Sequence, residues 1–199
     1  MTSDDTTDQF ITVVTGLPRS GTSLMMKMLE AGGLTLLTDD SRPADEDNPG
    51  GYFEYAPVTH TAHDAAWVAL ARGRVVKVIY TLLPHLPPSE EYRVVMVERD
   101  MEEVIDSQRA MLERSAADGA ALSRDELIAG YRRQLGELER WMVEQPNFSY
   151  ATVSYNQLLH NPQPQLARVM ELLARPLDTQ MMATVINPAL YRQQRADVL

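Results

Sequence analysis

The chain has 199 residues, 44% apolar and 23% charged, which fits one ordinary globular domain spanning 1–199 and excludes wholesale disorder. It sets 28 Asp and Glu against 18 Lys and Arg, a formal charge of −10, so neither nucleic acid nor an anionic membrane is an expected partner. The absence of cysteine excludes disulfides, thiolate nucleophiles and cysteine-ligated metals, and four scattered histidines suggest no metal site.

The acidic, polar start Met1 to Asp5 predicts no leader peptide, and no apolar run approaches the roughly 18 residues of a membrane helix. A cytoplasmic protein is therefore expected. After a polar lead-in, the β-branched run Phe10 to Thr15 predicts a buried strand that stops at Gly16. Leu24, Met25, Met28 and Leu29 then follow helical spacing within Thr22 to Ala31, and Gly32-Gly33 ends that helix. Residues 34–56 mix Asp39, Asp40, Asp45, Glu46 and Asp47 with prolines and glycines, so a long substrate or lid loop is predicted. Its acids read first as a solvated surface, and second as a selector of cationic acceptors.

A helix is predicted over Pro57 to Ala71 and a second strand over Arg74 to Tyr80, followed by a stiff proline loop within 81–91, the second lid candidate. Tyr92 to Glu98 is the third strand, and Glu102 to Glu113 is helical. Ser123-Arg124-Asp125-Glu126 has the form of a capping box, opening a helix with Leu127, Tyr131, Leu135, Leu138 and Met142 on one stripe. Phe148 to Val153 is the fourth strand, and Asn161-Pro162 starts a helix through Leu173. The 11 methionines read as pliable core filling. Strands alternating with helices predict an α/β, three-layer αβα fold with a mainly parallel sheet of four to five strands. In such sheets ligands bind beyond the carboxyl ends of the strands, so the loops after Thr15, Tyr80, Glu98 and Val153 share one rim.

The segment Gly16 to Ser23 has the outline of a phosphate loop (P-loop), G-x-x-x-x-G-K-[ST], between a buried strand and an amphipathic helix. Glycines let backbone amides turn inward, the helix start favours an anion, and the Thr22 and Ser23 hydroxyls can bond it. Thr22 occupies the place of the nucleotide-hydrolase lysine, which leaves Arg19 as the available cation in the loop. Pro18-Arg19-Ser20-Gly21-Thr22-Ser23 resembles the 5′-phosphosulfate loop, P-[KR]-S-G-T-[TS], of the cytosolic and Golgi-type sulfotransferases that use 3′-phosphoadenosine-5′-phosphosulfate (PAPS). The arginine variant is most similar to the tyrosylprotein and bacterial branches.

In that family an arginine after a strand and a serine eight residues later hold the 3′-phosphate, and Arg99 and Ser107 match this spacing. Taken alone, the two residues read as an ion-paired arginine and a surface hydroxyl. Val153 to Pro162 is similar to the family's Y-E-D-L…P segment, whose tyrosine lies near the adenine; Tyr155 fits that role and a core aromatic equally. The resemblance runs over roughly residues 10–192 and has three departures. Leu24 replaces the adenine-stacking tryptophan, the basic C-terminal segment has Tyr191-Arg192 as its nearest match, and the K-T-H motif reads Lys77-Val78-Ile79 without its histidine.

The resemblance implies a metal-free sulfotransferase moving a sulfonate in line from PAPS to a hydroxyl or amine of a small-molecule acceptor. Pro18, Arg19, Ser20, Gly21, Thr22 and Ser23 would hold the 5′-phosphosulfate, Arg99 and Ser107 the 3′-phosphate, with Tyr155 and Arg192 completing the donor site. The chemistry needs cations on the leaving phosphate and a base for the acceptor proton. Arg19 leads for the first role, and Lys77 is either a second transition-state cation or a strand-end surface lysine. Glu54, whose aromatic neighbours would desolvate it, leads for the base, with Asp40, His60, His63 and His85 as alternatives. Loops 34–56, 81–91 and 114–122 are expected to line the acceptor pocket. The competing readings are a P-loop small-molecule kinase, with Glu98 as its rough metal ligand, and a non-catalytic nucleotide-binding protein that has lost its base.

Overall fold

A computed structural model describes residues 10–39, 41–45, 48–114 and 123–187. Strand β1 (Ile11–Gly16) is buried through Thr15 and runs into helix α1 (Thr22–Ala31), which buries Met25, Met26, Met28 and Leu29. β2 (Val75–Lys77), β3 (Tyr92–Glu98) and β4 (Phe148–Ser154) complete a sheet in the order β2-β1-β3-β4, every pair parallel. Val13 lies opposite Val76 on one side and Val94 on the other, and Val94 opposite Tyr150.

The period-two alternation of these strands divides the core into two layers. Val14, Val95 and Val97 face α1 and α5 (Pro162–Leu173), meeting Met25, Leu166 and Val169. Ile11, Val13, Val94 and Met96 face the other way, onto Trp67, Val68 and the Leu138 and Met142 of α3 (Arg124–Glu144). A three-layer α/β fold with a four-stranded parallel sheet results, as the sequence predicts. Six of the methionines, Met25, Met26, Met28, Met96, Met142 and Met182, are buried as filler. No helix among the described residues is long and apolar enough to cross a membrane.

Several elements differ from expectation. The helix predicted over 57–71 is two short 3-10 helices, Ala56–His60 and Ala66–Ala71. Between them the Asp64 carboxylate accepts the Ala66 amide (2.9 Å), an aspartate turn that takes the donor a continuous helix needs. The second strand is three residues rather than seven. Val78 still donates to Val14 O (3.0 Å), but the chain then winds into a 3-10 helix, Tyr80–His85, with Pro84 inside it. The other side of β2 is covered by a bridge from Leu36.

The capping box is present, Ser123 N donating to Glu126 Oε2 (2.8 Å) and Glu126 N to Ser123 Oγ (3.3 Å). α2 spans Met101–Arg114. Two short helices had no sequence expectation: α4 (Tyr155–His160) directly after β4, and α6 (Thr179–Thr184).

Candidate functional site

All four strands end at one rim, where the loops enclose a cavity of about 1260 Å³. The turn from β1 into α1 forms its floor. Gly21, at φ +103°, starts α1, and a Cβ there would run into the Tyr155 ring; at Gly16 a Cβ would meet Val97 O and Ser20 Oγ. Arg19 takes φ +75° without being glycine, strain of a kind that gathers at binding sites. No side chain caps α1, so its first amides remain open to an anion.

Pro18, Arg19, Gly21, Thr22 and Ser23 line this cavity. Ser20 departs from the expectation. Its amide donates to Leu17 O (3.0 Å), and its buried hydroxyl has no partner among the described residues. The side chain lines a smaller cavity of about 290 Å³ beside Glu98 and Arg132, where the left-handed turn at Arg19 directs it.

The spacing that joined Arg99 to Ser107 corresponds to real proximity. Arg19 Nε donates to Ser107 Oγ at 2.9 Å, and a guanidinium nitrogen of Arg99 donates to Arg19 O at 3.3 Å. Arg99 Nε also donates to Glu103 Oε2 (2.9 Å), one helical turn on, with the two side chains 7% and 5% exposed. Asn156, on α4, donates to the same carboxylate oxygen (3.2 Å). Arg99 is thus ion-paired, as expected of it taken alone, and it also lines the cavity beside Arg19. Tyr155 likewise serves two ends. It is buried in the core layer under α1, it lines the cavity, and its ring lies 4.9 Å from the Arg99 guanidinium carbon.

Lys77, the last residue of β2, reaches the loop from the other flank. Its Nζ donates to Ser23 Oγ (3.1 Å) and to Tyr52 O (2.8 Å). Burial pulls its pKa down from 10.5 to about 8, against the opposing pull of the Glu54 charge. Arg19 is therefore not the sole cation at this loop, and Lys77 is not a surface lysine: a neighbouring strand delivers an ammonium to the residue after Thr22.

Ser41, Arg42 and residues 48–55 line the cavity as a strap fastened by polar groups of its own loop. The Tyr52 hydroxyl donates to the Asp45 carboxylate (2.8 Å), and the Arg42 guanidinium carbon stands 3.4 Å from the Tyr52 ring centroid. Asp39 accepts from Ser41 N (3.0 Å) and Ala56 N (2.8 Å), and its pKa is lowered by the Ser41 side chain first and by the Ala56 amide next. The described acids of this loop, Asp39 and Asp45, are exposed, as a solvated surface requires, and each also holds the loop by hydrogen bonds. Glu54 lines the cavity but is not desolvated by aromatic neighbours: its side chain is 38% exposed and pairs with Arg42 at 3.4 Å. His60 and His63 are exposed at the same cavity, whereas His85 lies away from its lining. Asp40 and Arg192 lie outside the described residues.

Strand order divides the cavity. Arg99, Ser107 and Tyr155 stand on the β3–β4 flank of the loop; Lys77 stands on the β2 flank, and the same cavity is lined by Trp67, which meets Tyr55 edge-on at 6.1 Å. One flank gathers cations and hydroxyls suited to a multiply charged anion, the other is walled by aromatics. Sequence reasoning missed Asn48, Tyr52 and Trp67. Asn48 and Tyr52 sit in a turn-rich loop with no periodicity to read. Glu103 was legible, four residues after Arg99 on a predicted helix.

No family model matches this chain, and no curated protein matches its sequence. Among solved structures, the sulfotransferase domain of the Synechococcus PCC 7002 olefin synthase aligns over 99% of this chain and 92% of its own, with TM-score 0.55 and 15% identity. The fold is that of a sulfotransferase domain. The sulfotransferase domain of the curacin biosynthetic pathway aligns over 95% of this chain and 79% of its own (TM-score 0.46, 13% identity). Retinol dehydratase, solved with androsterone and the inactive cofactor PAP, aligns over 90% and 63% (TM-score 0.47, 15% identity). At such identities the likeness to the sulfotransferase domain is one of architecture.

Proposed function

We propose that this chain is a single-domain sulfotransferase of the cytoplasm that moves a sulfonate from PAPS to a hydroxyl or amine of a small acceptor. One observation carries the reading. A phosphate loop without its lysine presents Arg19, and Arg19 is bonded to Ser107 and touched by Arg99 across 88 and 80 residues of sequence. Two guanidiniums and two hydroxyls at one rim suit a donor with an anion at each end, and fork-shaped donors favour fixed phosphate oxygens. The shared fold supports the same reading.

In this reading Arg19, Gly21, Thr22 and Ser23 hold the 5′-phosphosulfate within the bend stiffened by Pro18, while Ser20 holds the loop from beneath. Arg99 and Ser107 hold the 3′-phosphate, Tyr155 backs the adenosine, and Arg192 completes the donor site. The donor supplies the sulfonate: a bond forms from the acceptor atom to sulfur as the bond from sulfur to the 5′-phosphate breaks, its electron pair staying on that phosphate. Arg19 and Lys77 stabilise the charge that gathers there. The acceptor proton passes to a base, for which Glu54 is the strap's cavity-lining carboxylate, with His60 and His63 the other candidates at the same wall.

Titration calorimetry with adenosine 3′,5′-bisphosphate and with ATP tests this. Preferential binding of the bisphosphate, weakened at least tenfold in Arg99→Met, is the expected result; preference for ATP overturns it in favour of the kinase. A second reading rests on the Glu54–Arg42 pair, since a carboxylate held in a half-exposed ion pair suits a nucleotide binder without a base. Donor binding without any release of the bisphosphate in the presence of a broad acceptor panel would favour that binder.

A further inference from the structure

Ser23 stands where the strap, the neighbouring strand and the phosphate loop meet. Its Oγ accepts a hydrogen bond from Lys77 Nζ at 3.1 Å and another from Asn48 Nδ2 at 2.9 Å. The orientation of the Asn48 carboxamide follows from its other bond, because Nδ2 also lies 2.6 Å from Gly51 O, a carbonyl that can only accept. Lys77, as an ammonium, has no lone pair and can only donate. A hydroxyl has two lone pairs and one proton. With both lone pairs occupied, Ser23 has just its proton left to offer. Its one acceptor among the described residues is Tyr52 O, already taken by Lys77 at 2.8 Å and itself 3.5 Å from Ser23 Oγ, which is too long for a good bond. Ser23 lines the cavity at the first turn of α1, where anions are favoured.

We propose that Asn48 is a positioning residue: together with Lys77 it fixes the Ser23 hydroxyl as a hydrogen-bond donor directed at the anion held in the phosphate loop. The inference rests on the reading of that loop as the holder of the donor's 5′ anion, and it names a group of the strap that acts through Ser23. An unconstrained serine can meet an anion with a lone pair as readily as with a proton. Asn48 removes that choice before binding, so the cost of orienting the hydroxyl is met in folding the strap.

The test is a double-mutant cycle of Asn48→Ala and Ser23→Ala, read by titration calorimetry with two probes. Adenosine 3′,5′-bisphosphate carries a 5′ anion, and adenosine 3′-monophosphate does not. A hydrogen bond to a charged group sets the scale at about tenfold. Asn48→Ala is expected to weaken the bisphosphate about tenfold in the wild-type background and to leave 3′-monophosphate affinity unchanged. In the Ser23→Ala background it should have no effect on either. If Asn48 merely holds the strap together, its loss weakens binding equally with and without the Ser23 hydroxyl, and the proposal is overturned. It is equally overturned if Asn48→Ala leaves the bisphosphate untouched or tightens it. A wild-type protein that binds ATP and not the bisphosphate sinks the PAPS reading alone, and the same cycle run with ATP then decides the role of Asn48. Binding of neither nucleotide overturns both.

Discussion

The two flanks of the phosphate loop are built by different means. On the β3–β4 flank, long paired strands deliver Arg99 and Tyr155, and the Arg99–Glu103 pair is nearly sealed from solvent at 7% and 5% exposure. On the β2 flank a three-residue strand delivers Lys77, and the wall is completed by an irregular strap whose Arg42–Glu54 pair is 45% and 38% exposed. A buried charge requires a fixed partner, because desolvation makes any loosening costly. An exposed pair is cheap to break and cheap to remake. The β3–β4 flank is therefore preformed, as the proposed reading asks of the side that takes the donor. The β2 flank can be reshaped without endangering the fold, which suits the side where an acceptor enters.

Removing Glu103 makes the first and largest challenge to that contrast. Glu103→Ala takes the carboxylate from Arg99 Nε and from Asn156 Nδ2 together. A buried charge left without its counter-ion costs about 3–5 kcal/mol. Urea denaturation should report a loss of that order, with a melting temperature lower by roughly 10 °C. A loss under about 1 kcal/mol would mean that water reaches the pair, and that the two flanks do not differ as described.

Gly21→Ala comes next. The new methyl group would stand at φ +103° and against the buried Tyr155 ring. Left-handed strain and overpacking together cost about 2–4 kcal/mol. Bisphosphate affinity should collapse with it, because relief requires either the loop or Tyr155 to move. A variant of wild-type stability would show that α4 yields more easily than the close contact implies.

The same division governs what could be read in the sequence. Strands β1, β3 and β4 and the stripe of α3 follow from periodic apolar residues, and the capping box at Ser123 is local chemistry. The glycine turn from β1 into α1, and the convergence of Arg99 and Ser107 on Arg19, were equally legible, since both hang on regular elements whose geometry converts sequence distance into spatial distance. The strap had no such ruler. That Asn48 meets Ser23, or that Arg42 covers Tyr52, depends on turns between prolines and glycines, where each residue has several allowed conformations. The helix expected over 57–71 failed for a related reason, because the Asp64 carboxylate competes locally for the Ala66 amide. Ser20 was misjudged because motif position says nothing of the positive φ at Arg19 that turns its side chain under the loop.

Lys77 offers a smaller effect, with a definite sign. Its pKa falls from 10.5 in the open chain to about 8 in the fold because burial disfavours the ammonium. Between those values the unfolded chain binds more protons, so this group makes stability rise as pH increases from about 8 towards 10.5. Below pH 8 its destabilising contribution is fully present. Affinity for an anion should move the opposite way, falling above pH 8 as the charge is lost. Lys77→Met is expected to flatten both profiles over that window, by thermal melts and by bisphosphate titration. Identical profiles for wild type and variant would mean that Lys77 titrates as a solvated lysine and that the β2 flank is more open than its hydrogen bonds to Ser23 and Tyr52 suggest.

The smallest effect on stability lies at the centre of the strap, and it sharpens the contrast most. Arg42→Ala removes an exposed ion pair with Glu54 and the guanidinium over the Tyr52 ring. Exposed pairs and exposed cation–π contacts each contribute about 1 kcal/mol or less, so global stability should shift by a few degrees in melting temperature at most. Local order should respond far more, because Arg42 ties the exposed face of the strap to Glu54 and Tyr52, and opening the strap does not require the sheet to unfold. Limited chymotrypsin digestion, followed by mass spectrometry, should show cleavage after Tyr52 and Phe53 accelerated several-fold, with bisphosphate affinity retained. Accelerated cleavage accompanied by an equal loss of bisphosphate affinity would join the two flanks into one cooperative unit, in which the strap could not be altered without disturbing the surroundings of Arg99.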